Sequence, residues 1–309
     1  MSEARWRAAG ALLLSLLALT GGDRRAGGLQ RGTLGQRAYR LYIPARAVEM
    51  PEAPLPLVVA LHGCWQTPED FAAGTRLNVV AERRAFFVLY PIQSHRDNPS
   101  RCWNWFEPAN LNGGEVAEIL ALIDHIGRER RVAADQIIAL GLSAGGFLAV
   151  NLACTAPKVL SGVGVASAGP YRCGIGVTGS FGCMRGLNVD GEASAAACRG
   201  AMGGRARPIR ASLWHVTEDA VVNPGNLEAL ALMFARVDGV AASSSDRREG
   251  ALRTIYRDAQ GRALVESWLV SGMGHAWSGG DVRGRQAFPS GPSATERMLD
   301  FLLVPAGAE

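Results

Sequence analysis

An α/β fold with a mostly parallel sheet covered on both faces is predicted by three observations. Short continuous apolar runs, such as Leu-Pro-Leu-Val-Val-Ala-Leu at 55–61, read as strands buried on both sides. They alternate with segments whose apolar residues recur every three or four positions, as over 116–127. With 48% hydrophobic residues in 309, the chain holds enough apolar surface for one large core, placed here over residues 30–305.

Taken in order, residues 39–43 alternate and predict an edge strand, while 55–61 and 86–90 predict buried strands with helical spacing over 71–83 between them. The helix over 116–127 precedes a strand at 136–140, and an Ala- and Leu-rich helix follows over 144–153. Strands at 163–168 and 209–216, a helix at 227–237 and a closing helix at 295–303 complete the alternation. Residues 252–256 and 264–269 flank Gln260-Gly261 and predict a β-hairpin. Residues 170–205 hold three cysteines and little periodicity, and read as an irregular excursion over the sheet edge. Within it Gly174, Gly176 and Gly179 match G-x-G-x-x-G. A dinucleotide site needs a strand before this pattern and a helix after it; neither is predicted, so a loop is expected. No repeat is visible, and no Pro/Thr/Ser-rich linker or second module is read after the closing helix.

Charge excludes one class of function. The net charge is +4 and the basic residues are scattered arginines without interleaved aromatics, so no nucleic-acid footprint is expected. The densest group, Arg128, Arg130 and Arg131, reads as a solvated helix end. Arg5 and Arg7, the apolar run 8–19 and Thr20-Gly21-Gly22 predict a secretory signal peptide over 1–22. The run is shorter than the about 20 residues a membrane span needs, so no stable span is expected after cleavage; an uncleaved anchor is the alternative. Six cysteines behind an export signal suit an extracellular or periplasmic location with disulfides, and their pairing stays open among 15 possibilities. No cysteine or histidine spacing suits a metal, and neither metal nor cofactor is expected.

The chemistry centres on Gly141-Leu142-Ser143-Ala144-Gly145, which lies between the strand at 136–140 and the helix at 144–153. A nucleophile elbow needs that context, a sharp strand-to-helix turn that lifts the serine Oγ off the sheet. A serine hydroxyl is a poor nucleophile without a base, and the base needs an orienting carboxylate. The chain order for such an α/β-hydrolase is Ser, then acid, then His. Only His215 and His275 follow Ser143. His215 sits inside a strand run and reads as structural; His275, in Gly272-Met273-Gly274-His275, sits in a Gly-rich loop suited to a base. Asp219 lies on the loop after the 209–216 strand and is the acid candidate, with Glu218 as the runner-up. Oxyanion donors are expected from the backbone N–H of Ala144 and from Cys64 in His62-Gly63-Cys64 after the 55–61 strand.

Five segments together carry a resemblance: Leu61-His62-Gly63-Cys64-x-Gln66, Cys102-Trp103-Asn104-Trp105-Phe106, Gly141 to Gly146, Asp219-x-x-Val222-x-Pro224-x-Asn226 and Gly274-His275-Ala276-Trp277-Ser278-Gly279-Gly280. The chain resembles the poly(3-hydroxybutyrate) depolymerase family of esterases, which is related to feruloyl and acetylxylan esterases. The resemblance spans about residues 32–305. It implies an α/β-hydrolase fold, a Ser143–His275–Asp219 triad with Cys64 and Ala144 as oxyanion donors, and no cofactor. It also implies a Cys64–Cys102 disulfide and places Trp103, Trp105 and Trp277 at the substrate cleft, with core packing as the alternative. Two departures stand out. Val216 follows His215 where the family often has glycine, and no linker with a polymer-binding domain is read. Soluble oligomers, amorphous polymer or short-chain esters are therefore expected at least as much as solid polyester. The alternatives are a feruloyl- or acetylxylan-type carbohydrate esterase and, more remotely, a non-catalytic binding protein on a hydrolase scaffold.

Overall fold

The computed structural model describes residues 28–205 and 208–303. The predicted signal peptide lies outside the described residues.

The chain enters through a hairpin, β1 (Gly28–Leu34) and β2 (Arg37–Ile43), followed by a short helix α1 (Ala45–Glu49). Next come β3 (Leu55–Leu61), α2 (Pro68–Thr75), α3 (Leu77–Arg84), β4 (Phe87–Pro91) and α4 (Gly114–Glu129). The central unit is β5 (Val132–Leu142), α5 (Ala144–Thr155) and β6 (Gly162–Ala166). Two helices, α6 (Gly176–Met184) and α7 (Gly191–Met202), lead to β7 (Arg210–Val216) and α8 (Asn226–Val237). An antiparallel extension, β8 (Ala242–Arg248), β9 (Ala251–Arg257) and β10 (Ala263–Val270), precedes the small pair β11 (Trp277–Ser278) and β12 (Ala287–Phe288), and α9 (Ala294–Leu302) closes the chain.

The ten long strands form one sheet in the order β1-β2-β4-β3-β5-β6-β7-β10-β9-β8. The run from β4 to β10 is parallel, with antiparallel pairs at both ends. One face buries α4, α5, α7 and α8 against Leu57, Val59, Ala139 and Val163; the other buries α2, α3 and α9 against Val58, Val88, Ile138 and Leu140. Because strand neighbours alternate between these two cores, a strand such as β3 must be apolar throughout. The predicted sheet with helices on both faces is what the structure has.

Several local expectations are corrected. Residues 39–43 belong to β2, which is not the edge: β1 lies outside it across the Gly35-Gln36 turn, where Gly35 has φ +58°. β1 is polar and never fully buried, so it shows no apolar pattern. The helical spacing over 71–83 is split into α2 and α3 at Arg76, whose φ is 58°. The break has a cause: the last carbonyls of α2 are claimed from outside, Gly74 O by the Asp281 N–H at 2.8 Å and Thr75 O by the Thr295 hydroxyl at 2.6 Å. β8 was not predicted; every residue in it is exposed, and it joins the sheet edge through its backbone.

The largest correction concerns 170–205, which is mostly helical rather than irregular. α7 is built from small residues, and its buried positions, among them Ala195, Cys198 and Met202, pack on the α5–α8 side of the sheet. The G-x-G-x-x-G segment runs into α6. Gly174 serves close packing, since a Cβ there would lie 2.2 Å from Gly179 O, while Gly176 takes a φ of +70°. Disulfides Cys173–Cys183 and Cys154–Cys198 hold α6 to the preceding loop and α7 to α5. The third, Cys64–Cys102, is the one the resemblance implied. No described helix is long and apolar enough to cross a membrane.

Candidate active site

β3, β5, β6, β7 and β10 run parallel, so the segments after them emerge at one edge of the sheet. All the polar site candidates lie on those segments. Ser143 follows β5 directly and begins α5 with φ 55° and ψ −123°, a strained conformation for a residue with a side chain. Neighbouring glycines permit it by close approach. A Cβ on Gly141 would sit 2.2 Å from Gly145 O, and one on Gly145 would sit 2.1 Å from Leu61 O. The turn therefore lies tight against the end of β3, with Ser143 N–H donating to Ala166 O at 2.9 Å.

Asp219 and His275 are brought together. The imidazole Nδ1 donates to Asp219 Oδ2 at 2.7 Å, while Oδ1 accepts the N–H groups of Val221 and Val222, both at 2.9 Å. Burial pulls the Asp219 carboxyl upward, but the His275 bond and charge and the two backbone donors outweigh it, so its pKa falls below the ordinary value. The acid stays charged and pins the ring. His275 Nε2 is buried and has no hydrogen-bond partner, so the structure does not pair it with Ser143 Oγ. Glu218 is exposed and its side chain makes no bond to His275, which leaves Asp219 as the acid in contact.

His215 is where the strand reading put it, fully buried behind Asp219. Its Nδ1 accepts the Val216 N–H at 3.0 Å and lies 3.8 Å from Asp219 Oδ2. The three tryptophans are core residues. Trp103 is 0% exposed and donates Nε1–H to His62 O at 3.0 Å. Trp105 stacks on Phe147 with centroids 3.9 Å apart. Trp277, 1% exposed, donates to Thr295 Oγ1 at 3.0 Å. They set the shape of the surrounding loops, and none presents a ring face to solvent.

The loop after β3 is braced heavily. The Gly63 N–H donates to Gln66 Oε1 at 2.7 Å, and Gln66 Nε2 donates to Arg285 O at 2.6 Å. His62 Nε2 accepts the Gln93 N–H at 3.2 Å, so the ring proton sits on Nδ1 and reaches Gly63 O at 2.8 Å. Next to Cys64, sequence reasoning missed Trp65. It is 57% exposed, and its φ of 65° is rare for a bulky residue. No sequence signal separates it from the buried tryptophans. A concavity of about 450 Å³, lined by Val48, Phe87 and Arg130 among others, lies at the opposite edge of the sheet and takes no part.

Burial lowers both His62 and His215 to about 4. An unfolded histidine titrates near about 6.5, so below that pH the unfolded chain binds protons that the folded chain refuses. The contribution of these rings to stability is complete above the unfolded value and is lost as pH falls toward the folded one. Melting curves between about pH 7 and pH 4 are expected to show a falling Tm, with a shallower fall in His215→Leu. A Tm independent of pH over that interval would refute the assignment of both rings as neutral.

A family model described as Esterase PHB depolymerase matches residues 37–257. Poly(3-hydroxyalkanoate) depolymerase C of Paucimonas lemoignei is 33% identical over 226 residues, which cover 71% of this chain and 54% of that one. The chain thus spans about half the length of that depolymerase. Feruloyl esterase B of Thermothelomyces thermophilus is 25% identical over 248 residues, covering 76% of this chain and 82% of its own. Among solved structures, an acetyl xylan esterase from Aspergillus awamori superposes with a TM-score of 0.70 at 20% identity, over 81% of this chain and 94% of that one, a likeness of fold. The parallel sheet, the glycine-flanked serine turn and these matches agree: the chain has an α/β-hydrolase fold and belongs to the Esterase PHB depolymerase family.

Proposed function

We propose that this chain is an exported serine esterase that cleaves short-chain hydroxyalkanoate esters, as oligomer or polymer, through Ser143, His275 and Asp219. The observation that carries the reaction is the 2.7 Å Asp219–His275 bond on the same sheet edge as the strained Ser143 turn. In this reading Ser143 Oγ attacks the ester carbonyl carbon while His275 Nε2 takes its proton. Asp219 keeps the other ring proton on Nδ1 and stabilises the imidazolium. The carbonyl oxygen, now an anion, is held by the N–H groups of Cys64 and Ala144. The Ala144 amide suits this role because the first N–H groups of a helix have no partner within it. Collapse of the tetrahedral intermediate passes the proton from His275 to the leaving alkoxide and leaves an acyl-Ser143. Water, deprotonated by the same histidine, then releases the acid and restores the serine.

The distribution of apolar surface favours hydroxyalkanoate esters over sugar esters. Among the described residues twelve large apolar side chains are exposed, and six of them, Trp65, Ile175, Val177, Phe181, Leu187 and Val221, lie on the oxyanion loop, around α6 or on the acid loop. α6 is tied to the acid loop by the Asn223 N–H on Met184 O at 2.7 Å and by Asn226 Nδ2 on Cys183 O at 2.9 Å. An apolar surface of this kind suits a water-repelling acyl chain better than a hydroxyl-rich polysaccharide. Three disulfides and the N-terminal leader pattern support export. Purified protein should turn over 3-hydroxybutyrate oligomers with kcat/KM at least about tenfold above that for feruloyl or acetyl sugar esters, a difference of about 1.4 kcal/mol. The opposite preference would move the assignment to the carbohydrate esterases.

A further inference from the structure

Gln93 and Glu115 take no part in the chemistry described above, yet both are buried and both reach the loops that flank it. Gln93 follows β4, and its amide is fully engaged. Its Oε1 accepts Arg37 Nη1 at 2.6 Å, and its Nε2 donates to Cys102 O at 3.0 Å and to Glu115 Oε1 at 2.6 Å. Its backbone N–H is the donor on His62 Nε2. Glu115, in the first turn of α4, also accepts Asn104 Nδ2 at 2.9 Å on Oε1 and the Asn104 N–H at 2.8 Å on Oε2. One carboxylate thereby holds Asn104 directly, and Cys102 and His62 in the flanking loops through Gln93. The Cys64–Cys102 disulfide closes the same ring of contacts covalently.

A buried polar network whose members are all satisfied holds its parts in a single arrangement. An oxyanion donor is effective only within a few tenths of an ångström of its working position. We propose that Glu115, acting through Gln93 and Asn104, is a positioning residue that fixes the Cys64 N–H for the oxyanion. The proposal rests on the serine-esterase reading. It differs from a purely structural role, because loosening the network must weaken transition-state binding and leave ground-state binding alone.

The test is Glu115→Gln in the full chain. Glutamine has the same shape, but its NH2 faces one of the three donors that the carboxylate accepts, so one hydrogen bond becomes a donor–donor contact. With a soluble 4-nitrophenyl ester, kcat is expected to fall about 30-fold with KM within about twofold. Affinity for a trifluoromethyl ketone, whose adduct on serine carries an oxyanion, should fall by the same factor. Folded Glu115→Gln protein with wild-type kcat, or with reduced kcat and unchanged ketone affinity, would overturn the proposal. If Glu115→Gln does not fold, Asn104→Ala decides. It removes one of the three bonds without a clash, and a joint loss of about threefold to tenfold in kcat and ketone affinity is expected, whereas wild-type values for both would overturn the proposal. Fluorophosphonate labelling of the wild type, and its loss in Ser143→Ala, tests the esterase reading separately. A labelled enzyme with an unaffected Glu115→Gln variant refutes only the positioning role.

Discussion

Ser143→Ala is expected to lower turnover of a soluble short-chain ester by about 10⁵- to 10⁶-fold and to abolish labelling by a fluorophosphonate probe. The expected size follows from the division of labour at the site. In the proposed mechanism no acyl-enzyme forms without Oγ, and the Cys64 and Ala144 amides retain only their contribution to a water attack. The substitution is structurally mild, because the turn is held by Gly141 and Gly145 against the β3 end and by the Ser143 N–H on Ala166 O, and alanine keeps that N–H. Alanine also keeps the positive φ of 55°, whose cost the wild type already bears. Unchanged circular dichroism with lost labelling would therefore locate the nucleophile. A variant that is still labelled would place it elsewhere, and a well-folded wild type that is never labelled would favour a binding protein on a hydrolase scaffold.

Much of this arrangement was legible in the sequence because it depends on order and on burial. β3 must be apolar on both sides, and the run at 55–61 matched its bounds residue for residue. Ser143, Asp219 and His275 sit on segments after parallel strands, so their order alone put them on one edge of the sheet. What stayed illegible has a common cause, namely interactions that leave no local pattern. β1 and β8 are exposed strands that the sheet holds through main-chain bonds. α6 and α7 bury small residues and disulfides in place of a leucine stripe, and so read as irregular. Gln93 and Glu115 lie 22 positions apart and meet only when β4 and α4 pack. The tryptophans show the limit from the other side. Trp65 is exposed at a positive φ, while Trp103, Trp105 and Trp277 are enclosed by the fold, and composition cannot distinguish them.

Asp219→Asn should cost about 10⁴-fold in kcat at neutral pH while leaving the fold intact. The side chain keeps its shape, and its oxygen can still accept the Val221 and Val222 N–H groups that shape the acid loop. The damage falls on the other atom. An NH2 in place of Oδ2 faces His275 Nδ1, where the wild type has an acceptor at 2.7 Å. The ring then accepts at Nδ1 and carries its proton on Nε2, the nitrogen that in the proposed mechanism takes the proton from Ser143. Loss of the carboxylate also removes the charge that stabilises the imidazolium. Two further readouts separate this tautomer fault from unfolding. Glu218→Gln, at an exposed position without contact to the ring, is expected to keep kcat within about twofold, since surface substitutions of this kind are nearly neutral. The depressed pKa of Asp219 makes a second demand, because a group lowered by folding stabilises the protein above its unfolded value, and that contribution disappears as pH falls through the folded one. Asp219→Asn should remove this part of the acid sensitivity, so its stability should decline less than that of the wild type below about pH 4. Near-normal turnover in Asp219→Asn would transfer the orienting role to another group, and His215, 3.8 Å from the same carboxylate, cannot supply it because imidazole carries no negative charge to hold an imidazolium.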